Sequence, residues 1–147
     1  MKSLRLLLVA SFVLFSQGAW ADSANPPGMR IEIPNTRGLS SLQGYLTQPV
    51  GKTQYPAVLI LLGSGPGSTD NPKRDYNPIA RLAEELARNG FASLRFDKRG
   101  TGYNTETGSY ESQGFEDYIA DAEDAFRVLS RQPRVRRNGV YLFGNHE

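Results

Sequence analysis

The sequence has no cysteine and only one histidine, His146, among its 147 residues. Without cysteine there can be no disulfide framework and no cysteine-ligated zinc or iron–sulfur centre. A single histidine is more restrictive still. Any chemistry that needs a histidine base must use His146 or a group these residues do not supply. Net charge is also small, with 17 Lys+Arg against 15 Asp+Glu. No apolar stretch approaches the ~20 residues needed to span a bilayer, and no internal repeat or low-complexity tract is visible. Hydrophobic residues at 39% and charged residues at 22% are ordinary for a globular chain, and the length suits one domain.

The first 21 residues read as a secretory signal peptide. Lys2 and Arg5 make the start positive, residues 6–15 form a short apolar run, and Ala19-Trp20-Ala21 places small residues where a signal peptidase reads. The expectation is a secreted or periplasmic protein beginning at Asp22, with no stable membrane anchor. Loss of Lys2 and Arg5 balances the rest at 15 basic against 15 acidic residues. The pI near 9.0 therefore reports the targeting segment. It supports no nucleic-acid partner, because the net basic footprint is missing.

The remaining sequence alternates strand and helix patterns. Residues 22–41 read as an N-terminal extension carrying a first edge strand, Arg30-Ile31-Glu32-Ile33. Residues 42–47 follow a Thr36-Arg37-Gly38 turn as its antiparallel partner, with Gly44 as a bulge site. Residues 57–62 are apolar without interruption, as a strand covered on both faces requires. Asn77 and Pro78 open a helix, expected to be capped by the Asn77 side chain. Ile79, Leu82, Ala83 and Leu86 form its apolar stripe, and Asn89-Gly90 closes it. Another strand spans 91–96. A second helix spans 115–131, with Phe115, Ile119, Ala122, Phe126 and Leu129 as its buried face. Asp117, Asp121 and Asp124 fall opposite, which predicts a solvated acidic face and no metal site. Arg131, Arg134, Arg136 and Arg137 read as exposed loop residues. After Asn138-Gly139, residues 140–143 form a third strand of buried type.

This order predicts an α/β fold with a mostly parallel sheet, an antiparallel strand pair at one edge and helices on its faces. Right-handed crossovers put residues 63–70, residues 97–104 and the last residues on one side of the sheet, at the carboxyl ends where such folds bind ligands.

Three segments, in this order, carry a family resemblance. They are Gly63-Ser64-Gly65-Pro66 after an apolar strand, Asp97-x-Arg99-Gly100-x-Gly102 after the next, and Gly144-Asn145-His146-Glu147 after the last. From residue 42 to 147 the sequence resembles the N-terminal half of a secreted α/β-hydrolase, of the dienelactone-hydrolase-like or serine-aminopeptidase-like kind. The first loop in that family reads His-Gly-x-Gly-Pro; here Leu62 stands at the histidine. The resemblance implies oxyanion-hole donors at Ser64 or Gly65, completed by the N–H of Glu147, which follows the nucleophile position. Asp97, Arg99, Gly100 and Gly102 correspond to a structural loop in which carboxylate and guanidinium tie down neighbouring turns. The elbow Gly-x-Ser-x-Gly is reached at Gly144, but His146 occupies the serine position.

The implied substrate is a small-molecule ester or amide, with no cofactor and no metal. The oligomeric state is left open. Residues 42–147 are expected to be a truncated hydrolase domain ending at the nucleophile elbow and inactive as it stands. The alternative is a catalytically dead domain kept for binding. A third reading, His146 itself as nucleophile, finds no supporting partner. An apolar last strand with a free edge favours the incomplete copy, since selected proteins blunt such edges.

Overall fold

The computed structural model describes residues 28–69 and 77–145. Residues 1–21, expected to be a signal peptide, and the pair His146-Glu147 lie outside the described residues. The elements run β1 (Met29–Ile33), β2 (Leu42–Thr47), β3 (Tyr55–Leu62), α1 (Pro78–Arg88), β4 (Ala92–Phe96), two short 3₁₀ turns (Gly102–Thr107 and Tyr110–Ser112), α2 (Phe115–Ser130) and β5 (Val135–Asn145). They build one mixed sheet in the order β1-β2-β4-β3-β5. β1–β2 and β2–β4 are antiparallel, and β3–β4 and β3–β5 are parallel. The parallel half carries the loops of interest.

Alternation along β3 feeds two cores, because successive side chains point to opposite faces. Ala57 and Leu59 join Leu94, Phe96, Ala125 and Leu129 on the α2 side. Val58 and Ile60 meet Ile79 and Ala83 of α1 on the other. That double burial is the physical reason residues 57–62 are apolar throughout.

α1 begins at the expected residue, but the Asn77 side chain makes no capping bond. Its backbone carbonyl instead accepts from Arg81 N at 3.1 Å, while Pro78 occupies the first turn. Gly44 is no bulge either: it stays in register opposite both Ile31 and Phe96. A side chain there would press on Arg95 O at 2.9 Å and Ile33 Cδ1 at 3.1 Å, so close packing explains the glycine.

α2 is turned relative to the face its apolar stripe predicts. Phe115, Ile119 and Phe126 are exposed, whereas Asp121 and Asp124 are buried with Ala125 and Leu129. The cause is the turn after β1, which docks on the acidic face. Asp124 accepts from Thr36 N and Thr36 Oγ1, both at 3.0 Å, and Asp121 accepts from Asn35 Nδ2 at 3.3 Å. Arg37 pairs with Asp117 at 2.8 Å. Burial pushes the Asp124 carboxyl up, but the two Thr36 bonds and Arg127 outweigh it and hold it below its ordinary value. Asp117 is also lowered, first by accepting the Gly114 N–H at the helix start and then by Arg37.

β5 starts earlier than 140. Val135 already pairs with Tyr55, and Val140 pairs with Ala57, so residues 136–139 bulge out against one residue of β3. Arg136 and Arg137 thus lie within the strand and stay exposed. Tyr141, Leu142 and Phe143 are 56%, 63% and 42% exposed, contrary to a buried strand, because β5 has one neighbour among the described residues.

Candidate active site

The carboxyl ends of β3 and β4 bring residues 63–69 and 97–104 into direct contact. Asp97 is the hub. Its buried carboxylate accepts from Thr69 N at 2.5 Å, Thr69 Oγ1 at 2.8 Å, Tyr103 N at 2.9 Å and Ser68 Oγ at 3.1 Å. This packing dictates Gly102, since a side chain there would run into the Asp97 carboxylate. Gly100 is dictated in the same way by the backbone N–H of Tyr110, and both glycines sit at positive φ, Gly100 at +70° and Gly102 at +50°.

Arg99 is buried and donates in two directions. Nε and Nη2 reach Asp121 Oδ1 at 3.2 and 2.9 Å, and Nη1 reaches Ser40 O at 2.6 Å. One guanidinium therefore joins the loop after β4, the turn before β2 and helix α2. Asn104 completes the mesh, bonding both backbone groups of Gln43 (2.8 and 3.1 Å) and Asp97 O (2.7 Å).

Ser64 is exposed and Gly65 half-buried at φ +90°. A cleft of about 540 Å³ opens beside them, lined by Leu61, Ser64, Lys98, Tyr118, Ile119 and Gly144 among others. The structure thus brings the first loop, the second loop and the end of β5 to one cleft. His146 and Glu147, expected at the nucleophile position and just after it, fall outside the described residues.

Lys98, Thr69 and Asn104 hold the site together without any sequence motif that marks them. Lys98 reaches back to the first loop, donating from Nζ to Gly63 O at 2.6 Å, with its ammonium 4.7 Å from the Tyr118 ring centre. Nothing in its neighbours' identities signals this, because the contact spans 35 residues.

A family model described as serine aminopeptidase, S33, matches residues 74–145. Esterase EstD of Thermotoga maritima is 28% identical over 107 residues, which cover 73% of this chain and 25% of that protein. Est1E from Butyrivibrio proteoclasticus, solved with ferulic acid bound, superposes with a TM-score of 0.65 at 22% identity, over 78% of this chain and 42% of that one. The α/β hydrolase GrgF from Penicillium sp. sh18 gives 0.63 at 21% identity, over 80% and 37%. The chain spans a quarter of the curated relative and about two fifths of these solved structures. At such identities the solved structures establish the fold.

Proposed function

We propose, from the premise that the chain shares the α/β-hydrolase fold, that it supplies the oxyanion loop and the elbow strand of a serine-dependent hydrolase of carboxylic esters or amides. The supporting observation is the cleft shared by Ser64, Lys98 and Gly144. In acyl transfer the carbonyl oxygen gains negative charge as the nucleophile adds, and preorganised N–H donors lower that barrier. Ser64 N–H is the first such donor and the N–H of Glu147, by resemblance, the second. The cleft lining from Leu61 and Ile119 is apolar, so a substrate seated against it would displace water and strengthen the donor bonds it accepts.

The nucleophile and base are a separate matter. His146 stands at the serine position and is the one histidine in the sequence, so it cannot serve as both. These 147 residues are accordingly inactive on their own, and hydrolysis needs groups they do not contain. Export to the periplasm or beyond, directed by residues 1–21, is part of the same proposal.

The test is a segment exchange. The matched stretch of EstD is replaced by the matched stretch of this chain, its own elbow serine is retained, and hydrolysis of p-nitrophenyl esters is assayed. Ester hydrolysis that disappears when the elbow serine is changed to alanine supports the proposal. A chimaera with a cooperative melt and no hydrolysis above that alanine variant refutes it.

A further inference from the structure

We infer that Lys98 is a positioning residue for the oxyanion donor: its ammonium holds the Gly63 carbonyl and thereby sets the direction of the Ser64 N–H. The inference rests on reading residues 63–66 as an oxyanion loop.

The Gly63 carbonyl and the Ser64 N–H belong to the same peptide unit. That unit is planar and trans, so the two groups point in opposite directions. Whatever fixes the carbonyl fixes the N–H. Left alone, this unit would be soft, because Gly63 offers little resistance to a rotation of the peptide plane and Gly65 follows at positive φ. Lys98 Nζ supplies the restraint with a 2.6 Å charge-assisted bond to Gly63 O.

A lysine is usually a poor clamp, since its long stem loses much freedom when held. Here the cost is offset by a seat. The side chain is almost wholly buried, and the ammonium lies 4.7 Å from the Tyr118 ring centre and 6.0 Å from that of Tyr110. The cation also polarises the amide it binds, which makes the Ser64 N–H a stronger donor. Residue 97 restrains the far end of the same loop through Ser68 and Thr69. Two adjacent residues of one loop therefore hold both ends of the other. Lys98 occupies an unspecified position of the Asp97-x-Arg99 motif, so the role is assigned from the geometry alone.

The test uses backbone NMR of the chain with Lys98→Met, which keeps the stem, and Lys98→Arg, which keeps a charged donor. The expected result is a Ser64 amide order parameter near 0.85 in the unsubstituted chain and below about 0.6 in Lys98→Met, the values of rigid and flexible backbone. The Gly63 carbonyl carbon signal should move with it, Lys98→Arg should restore both, and the Leu59 and Leu94 amides should not change. Tyr118→Leu, which weakens the seat and spares the ammonium, should loosen Ser64 to a lesser degree. Where a variant associates at NMR concentrations, hydrogen exchange of peptides spanning 61–67, read by mass spectrometry on dilute protein, gives the same comparison. Unchanged Ser64 and Gly63 signals in Lys98→Met overturn the inference. So does a loss of order spread evenly through the sheet, which would mark Lys98 as a general structural residue. An inactive EstD chimaera together with a Lys98-dependent Ser64 would refute the hydrolase reading and leave the clamp standing.

Discussion

Replacing Asp97 with alanine removes four acceptor contacts at once and strands two backbone donors. The Thr69 N–H is the costlier, because Thr69 is only 1% exposed and water cannot replace the lost carboxylate. A buried donor left without a partner costs ~1–3 kcal/mol, and each hydrogen bond to a charged group contributes ~1.5–3 kcal/mol. The contacts share one carboxylate and are not additive. The Tyr103 N–H and the Ser68 hydroxyl are nearer solvent and recover part of their loss. The net cost of opening this loop pair is therefore about 3–4 kcal/mol for Asp97→Ala, or a ~10²–10³-fold fall in protection. Asp97→Asn keeps one acceptor oxygen but turns an NH₂ toward N–H donors, for about 2 kcal/mol. Hydrogen exchange of the chain, compared between residues 63–69 with 97–104 and the β3–β4 core, reads these local openings directly. An Asp97→Ala variant that loses less than about tenfold protection at Thr69 would refute the reasoning.

Protonation of Asp124 should release the turn after β1 from α2. Its carboxyl is depressed in the fold, so the stabilisation is present above the unfolded value near ~3.9 and is lost as pH falls through the folded value. Thr36 amide protection should drop in that acid range, and Asp124→Asn should remove the pH dependence at a cost of about 1–3 kcal/mol. Leu142 stands 63% exposed on the β5 edge, so the chain should self-associate and bind an apolar dye; Leu142→Lys should reduce both, as sedimentation and dye fluorescence would register. Intact mass of exported protein should begin at Asp22, and a product retaining Met1 in the membrane pellet would contradict the signal reading.

The elements that depend on local pattern were legible. Residues 57–62 announce a strand buried on two faces, and the Ile79, Leu82, Ala83, Leu86 stripe announces α1. The glycines of residues 97–102 were readable as a motif, but not the reason for each. That reason is a carboxylate lying against Gly102 and a backbone N–H against Gly100. The orientation of α2 was not legible. Its partners Thr36 and Asn35 are 88 and 86 residues away from Asp124 and Asp121, and a helix with apolar residues on one side and carboxylates on the other looks amphipathic whichever side is covered. Lys98 escaped for the same reason. A lysine in a polar loop reads as solvated until the fold places a carbonyl and two tyrosine rings around it.

The decisive experiment asks whether the chain by itself performs the acylation step. Purified residues 22–147 are treated with a fluorophosphonate and the adduct is read by mass spectrometry. In an otherwise intact hydrolase lacking its triad, the oxyanion site and binding leave ~10³–10⁴-fold catalysis over water. Here His146 stands where the serine is expected and no second histidine is present to act as base, so the expected result is no stoichiometric adduct at Ser64, Ser68, Ser93, Ser109 or Ser112. Complete labelling of one serine, abolished by His146→Ala, would contradict it and show a working nucleophile and base within these 147 residues.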